Sequence, residues 1–165
     1  MRFWLMSLMA TVAVSSCAAN TQQQPQSRLH GNWQCSSTTS NASNGITVNI
    51  NYTHRINTQT LKSTTETAML ITQKAEDNSL KRVQLLFDSA ENIAITDNTI
   101  SYSPYSANLI SIERDELNML ATQASKNSLL RTIQEPASAS YHFEGRQLQL
   151  YFPKSDMNVD CNPKG

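Results

Sequence analysis

The segment that most constrains the fold is an eleven-residue alternation near the start of the chain. Ile46, Val48, Ile50, Tyr52, His54 and Ile56 are separated one by one by Thr47, Asn49, Asn51, Thr53 and Arg55. Successive side chains of an extended strand point to opposite faces, so strict period-two patterning marks a strand with one buried and one wet face. A second strand opens the domain, with Trp33 and Cys35 on one face, and a polar, Asn-rich stretch, 36–45, finishes it and turns. The Thr-rich stretch 61–72 carries Met69 and Ile71 on one face and pairs back. Val83, Leu85 and Phe87 mark another strand. Ile93 and Ile95, the pair Asp97-Asn98, then Ile100 and Tyr102 read as a hairpin, because Asp and Asn tolerate the positive φ of tight turns. Ser103-Pro104 is expected to close it. Over 113–131, Leu117, Leu120, Ala121 and Ala124 recur at helical spacing, with acids first and Lys126 and Arg131 late, so one helix is predicted there. Tyr141 and Phe143, the Glu144-Gly145 turn, and Leu148, Leu150 and Phe152 form a last hairpin. Met157, Val159 and Cys161 make a short final strand.

The start of the chain carries a different signal. Arg2 precedes an apolar run over 3–14, which is too short for a membrane span of about 20 residues and has the form of a secretory signal. Val14-Ser15-Ser16-Cys17 resembles the lipobox of bacterial lipoproteins. The resemblance implies cleavage before Cys17, diacylglycerol on its thiol and, usually, a third acyl chain on its amine; two chains already anchor stably. Residues 1–16 are then a signal peptide, 17–28 a lipidated cysteine with a flexible tether, and 29–165 a single β-barrel-like domain. Ala18 after the cysteine resembles outer-membrane sorting, so the expected address is the cell envelope, on the periplasmic side of the outer membrane. An ordinary signal peptide cut near Ala18 or Ala19 is the plainer alternative.

Three cysteines leave an odd thiol in an exported chain. With Cys17 lipidated, Cys35 and Cys161 remain as one pair in an oxidising compartment. Their bond would join the first and last strands, as in a sheet that curls round and closes, which also removes exposed edges. The expected fold is therefore mainly β: an antiparallel meander closing into a small barrel, with one helix inserted before the last hairpin.

Composition bounds the function classes. Ser, Thr, Asn and Gln supply 63 of the 165 residues, yet the apolar residues are patterned, so the chain reads as folded strands with polar outer faces. Bases and acids balance at 13 each, and losing Arg2 leaves a net charge of −1, no footprint for nucleic acid.

Gly31-Asn32-Trp33 at the first strand of a meander resembles the G-x-W signature of lipocalins and related small barrels, over roughly residues 29–162. Extended to Gln34 and Cys35, with a late second cysteine, it is similar to a type found in small bacterial lipoproteins. The resemblance implies a Trp33 that plugs the barrel floor and an interior able to hold an apolar ligand. The chain departs from the family in lacking a Thr-Asp-Tyr segment and in placing its helix before the last hairpin.

No reaction declares itself. His30, His54 and His142 have no metal-ligand spacing, no G-x-S-x-G elbow occurs, and the cysteines are consumed by lipid or disulfide. Glu113, Asp115 and Glu116 read as a helix's first turn. A non-catalytic protein without a cofactor is expected. His54 stands apart because it occupies the apolar face of the clearest strand. Such a histidine is ordinarily a core residue satisfied by a hydroxyl or carbonyl; its other role is a polar handle in a ligand cavity, beside Tyr52 and Trp33. Two functions follow: an interaction or structural module with a filled core and an envelope protein as partner, or a barrel that binds a small apolar or amphipathic ligand. The inward aromatics look needed as filling, which favours the first, with the 113–131 helix or the 36–44 loop as its docking surface.

Overall fold

In the computed structural model, which describes residues 25–165, eight antiparallel strands run as a meander and close into a barrel in the order β1-β2-β3-β4-β5-β6-β7-β8. The strands are β1 (Gly31–Asn41), β2 (Ile46–Asn57), β3 (Lys62–Lys74), β4 (Leu80–Thr96), β5 (Thr99–Asp115), β6 (Ala137–Glu144), β7 (Gln147–Phe152) and β8 (Met157–Pro163). A short helix α1 (Pro25–Leu29) precedes them and α2 (Gln123–Ile133) lies between β5 and β6. Residues 1–16 and Cys17, the expected signal and lipidation site, lie outside the described residues. The helix α1 takes in 25–28, at the end of the expected tether, and its last residue, Leu29, is fully buried.

Closure follows from the cysteines. β8 pairs with β1 so that Cys35 and Cys161 stand directly opposite, and they form a disulfide. Trp33 is buried beside them; its indole N–H donates to the Leu29 carbonyl at 2.9 Å, and its ring tilts against Phe143 at 6.0 Å. Leu148, Leu150 and Val159 complete this end of the barrel, each almost fully buried. The Asp97-Asn98 turn forms as the dipeptide predicts, with Asp97 at φ 51° and Thr96 paired to Thr99. The Tyr141 hydroxyl donates to the Asp97 carbonyl at 2.8 Å and ties that turn to β6. In the β6–β7 hairpin Gly145 adopts φ 59°, a conformation in which a side chain is strained.

Two expectations need correction. Phe87 and Ile93 belong to one 17-residue strand, β4, and Ser103-Pro104 does not end the hairpin: β5 runs on to Asp115. Its register against β4 slips three times, leaving Tyr105, Ile110 and Glu113 as extra residues on β5. Each β-bulge bends and twists its strand. Second, the helix begins at Gln123, ten residues later than the spacing predicts. Glu113 and Asp115 lie in β5, and Asn118 takes φ 54°, which breaks helical continuity. The acids serve other backbone groups: Asp115 accepts from the Met119 and Leu120 amides at 2.9 and 2.8 Å, and Glu116 accepts from the Arg82 amide at 2.8 Å. The true N-cap is Thr122, whose hydroxyl accepts from the Ser125 amide at 3.1 Å while Ser125 reaches back to the Thr122 amide.

Bending has a topological consequence. β5 pairs with β6 only over Thr99–Tyr102. Beyond Tyr102 the two strands diverge, and α2 with the segment before it covers the gap. There a second apolar cluster forms from Val83, Leu85, Phe87 and Leu120, with Leu129 and Ile133 of α2 half-buried against it.

Candidate functional site

Between the two apolar clusters lies a cavity of about 250 Å³. Its walls come from β2 to β8, with Ile133 of α2 and Glu135 of the following link closing one side. Most of the lining is apolar: Ile50, Met69, Phe87, Ala137, Phe152 and Met157. A groove of about 600 Å³ adjoins it where β5 and β6 part, sharing Tyr102, Glu135, Ala137 and Phe152 with the cavity.

The alternation of three neighbouring strands puts a polar wall inside. β2 faces inward with Tyr52, His54 and Ile56; opposite them β3 presents Thr67, Thr65 and Ser63; β4 then presents Phe87, Ser89 and Glu91. The hydroxyls form a chain: Thr65 and Ser89 lie 2.7 Å apart, Ser89 donates to one Glu91 carboxylate oxygen and Ser63 to the other. Glu91 is 6% exposed, and the cavity lining holds no lysine or arginine. A buried carboxylate is costly unless paired or hydrogen-bonded, and here two serines are its hydrogen-bond partners.

His54 is 2% exposed and packs between Tyr52 and Tyr102, with ring centroids 6.0 and 5.8 Å away. Among the described residues neither of its ring nitrogens has a hydrogen-bond partner, and neither does the Tyr102 hydroxyl. Native interiors rarely leave such groups unpaired, so each exception asks for a reason. Burial lowers the His54 pKa to about 4, which keeps the ring neutral at pH 7, one nitrogen free to accept and the other to donate. Burial, and next to it the Glu91 carboxylate, raises Tyr52; burial, then Tyr52 and Glu91, raises Tyr102. Both phenols stay protonated.

Of the residues the sequence points to, Tyr52 and His54 line the cavity together. Trp33 does not: its ring turns toward α1 and Phe143, where it fills the floor. His54 lacks the hydroxyl or carbonyl partner that an ordinary core histidine would have. His30 accepts from the Thr58 amide at 3.4 Å, and His142 is exposed on the outer face. Among the described residues no three His, Cys, Asp or Glu side chains converge as metal ligands. Sequence reasoning misses Glu91, Ser89, Thr65 and Tyr102 as site residues. Their signal is the continuation of a face: counting by twos from Phe87 toward Ile93 reaches Ser89 and Glu91, and counting back from Met69 reaches Thr67, Thr65 and Ser63.

Comparison of the chain with known protein families and with curated proteins finds no match.

Proposed function

We propose that this protein is a lipid-anchored envelope module whose barrel binds a small amphipathic ligand in the cavity beneath α2. The observation that carries the reading is the pairing of an apolar chamber with His54 and Tyr102, whose polar atoms are buried and unpartnered. Ligand sites are concave and mostly apolar, with a few convergent polar groups that fix orientation. The anchor rests on Val14-Ser15-Ser16-Cys17. On this reading the inward aromatics divide their work: Trp33 fills the floor while Tyr52 and Tyr102 flank the ligand.

The test joins anchor and cargo. The full chain carrying Cys17→Ser is exported to a periplasm, fractionated and examined by native mass spectrometry without detergent. Release of the variant into the soluble fraction, with a small adduct lost on denaturation, is the expected result. Membrane retention would sink the lipidation, and a bare mass across preparations would sink the cargo.

A second reading, docking of an envelope protein, draws support from Tyr105 and Ile110. Both are bulged residues of β5, about half exposed, on the stretch with no β6 partner. A bare mass would turn attention there.

A further inference from the structure

We propose that the cavity selects a small organic amine, a monocation with an apolar body, and that Glu91 pairs with its ammonium group. The inference deepens the cargo reading and rests on it. Its first support is the sign of the site. Glu91 and Glu135 are the charged residues of the lining; Glu135 is engaged by Lys154, which donates to it at 2.8 Å, so among the described residues Glu91 is the one left without a cation. The second support is donor–acceptor matching. An ammonium offers three donors and no acceptor. The cavity presents the Glu91 carboxylate, the Tyr102 hydroxyl oxygen and a neutral His54 nitrogen, the last two with no partner of their own. A carboxylate ligand would bring a second negative charge to Glu91. A neutral alcohol would forgo the charge-assisted bond.

The third support is the shape of the surround. Tyr102 stacks on Phe152 at 6.1 Å between centroids and touches His54, so aromatic faces flank the polar pole, and such faces favour cations. Apolar chambers of roughly 150 Å³ hold one benzene. By that measure about 250 Å³ admits a molecule of roughly ten heavy atoms. A phenyl or short alkyl body would lie against Phe87, Met69 and Phe152, with the amine toward Glu91.

Three matched probes test this: phenethylamine, phenethyl alcohol and phenylacetate, titrated calorimetrically into the full Cys17→Ser chain. The amine is expected to bind about tenfold or more tighter than the alcohol, the worth of one hydrogen bond to a charged group, and the acid more weakly than both. Glu91→Gln keeps the side-chain shape, with its amide oxygen accepting from one serine and its NH2 donating to the other; it should bring the amine-to-alcohol ratio close to one. Should that variant fail to fold, Tyr102→Phe serves instead: its hydroxyl has no partner to lose, and it should weaken the amine severalfold without lowering the melting temperature. If amine and alcohol bind alike, if the amine keeps its advantage in the Glu91 variant, or if Tyr102→Phe leaves amine binding unchanged, the amine inference falls while the cavity stands as a binding site. If no probe binds, both readings fall.

Discussion

The two ends of the barrel are built on different terms. At the floor, β1 meets β8 through the Cys35–Cys161 disulfide, and Trp33, Leu148, Leu150 and Val159 are close to fully buried. At the other end, β5 outruns β6, which it leaves after Tyr102, and α2 closes the gap without burying a single residue completely. Free energy of local opening is spread unevenly in proteins: dense apolar contact resists it, and half-buried elements yield first. The comparison teaches that one sheet can carry a rigid anchor and an accessible chamber at once. Between the ends, His54, Tyr102 and Glu91 sit in an interior that hydroxyls line on one side and apolar side chains on the other.

That contrast can be broken first at the floor. Replacing Cys35 and Cys161 together by Ala removes a crosslink between residues 126 positions apart, and the chain-entropy model assigns such a link about 5 kcal/mol. Urea denaturation should report a loss of that order. An unchanged midpoint would mean the floor is not where stability resides.

The chamber offers a test by pH. The folded pKa of His54, about 4, lies below its unfolded value of 6.5, so the unfolded chain takes up the proton first as pH falls. Stability from the neutral ring is complete above pH 6.5 and drains away toward pH 4. Against His54→Gln, which does not titrate, the native protein should lose about 3 kcal/mol more between pH 7 and pH 4. Carboxylates common to both proteins cancel in the difference. Parallel pH profiles would show that His54 takes up its proton as readily in the fold as in the unfolded chain, so that burial does not hold the ring neutral.

The smallest effect is expected at α2. Ile133→Ala trims a half-buried side chain and should cost about 1 kcal/mol, below the roughly 2–5 typical of fully buried positions. Hydrogen exchange should find α2 amides opening faster than those of β7 and β8. Equal protection would erase the distinction between the ends.

Much of the fold was legible by counting in twos. The 46–56 alternation, the Asp97-Asn98 turn and the inward placement of Cys35, His54 and Cys161 all rest on the local pleat of a strand. β5 defeats the same arithmetic. Its three bulges turn the inward spacing into a mixture of twos and threes, through Tyr102, Pro104, Ala107, Leu109 and Ile112, so the alternation that marks a strand is lost after Tyr102. Acids at 113–116 then resemble a helix start, although they cap a strand end and the turn after it. Glu91 was obscured for a related reason: Ser89 and Glu91 read as a break between two strands, when they are the polar middle of one.

By itself the sequence determined which residues face inward on the strands without bulges, where most hairpins turn and which cysteines could meet, because those properties depend on neighbours a few residues away. Only the tertiary structure decided that β5 and β6 part company, that α2 covers the opening, and that His54, Tyr102 and Glu91 share one chamber. Those outcomes depend on register and closure, which are fixed by pairings between residues far apart in the chain.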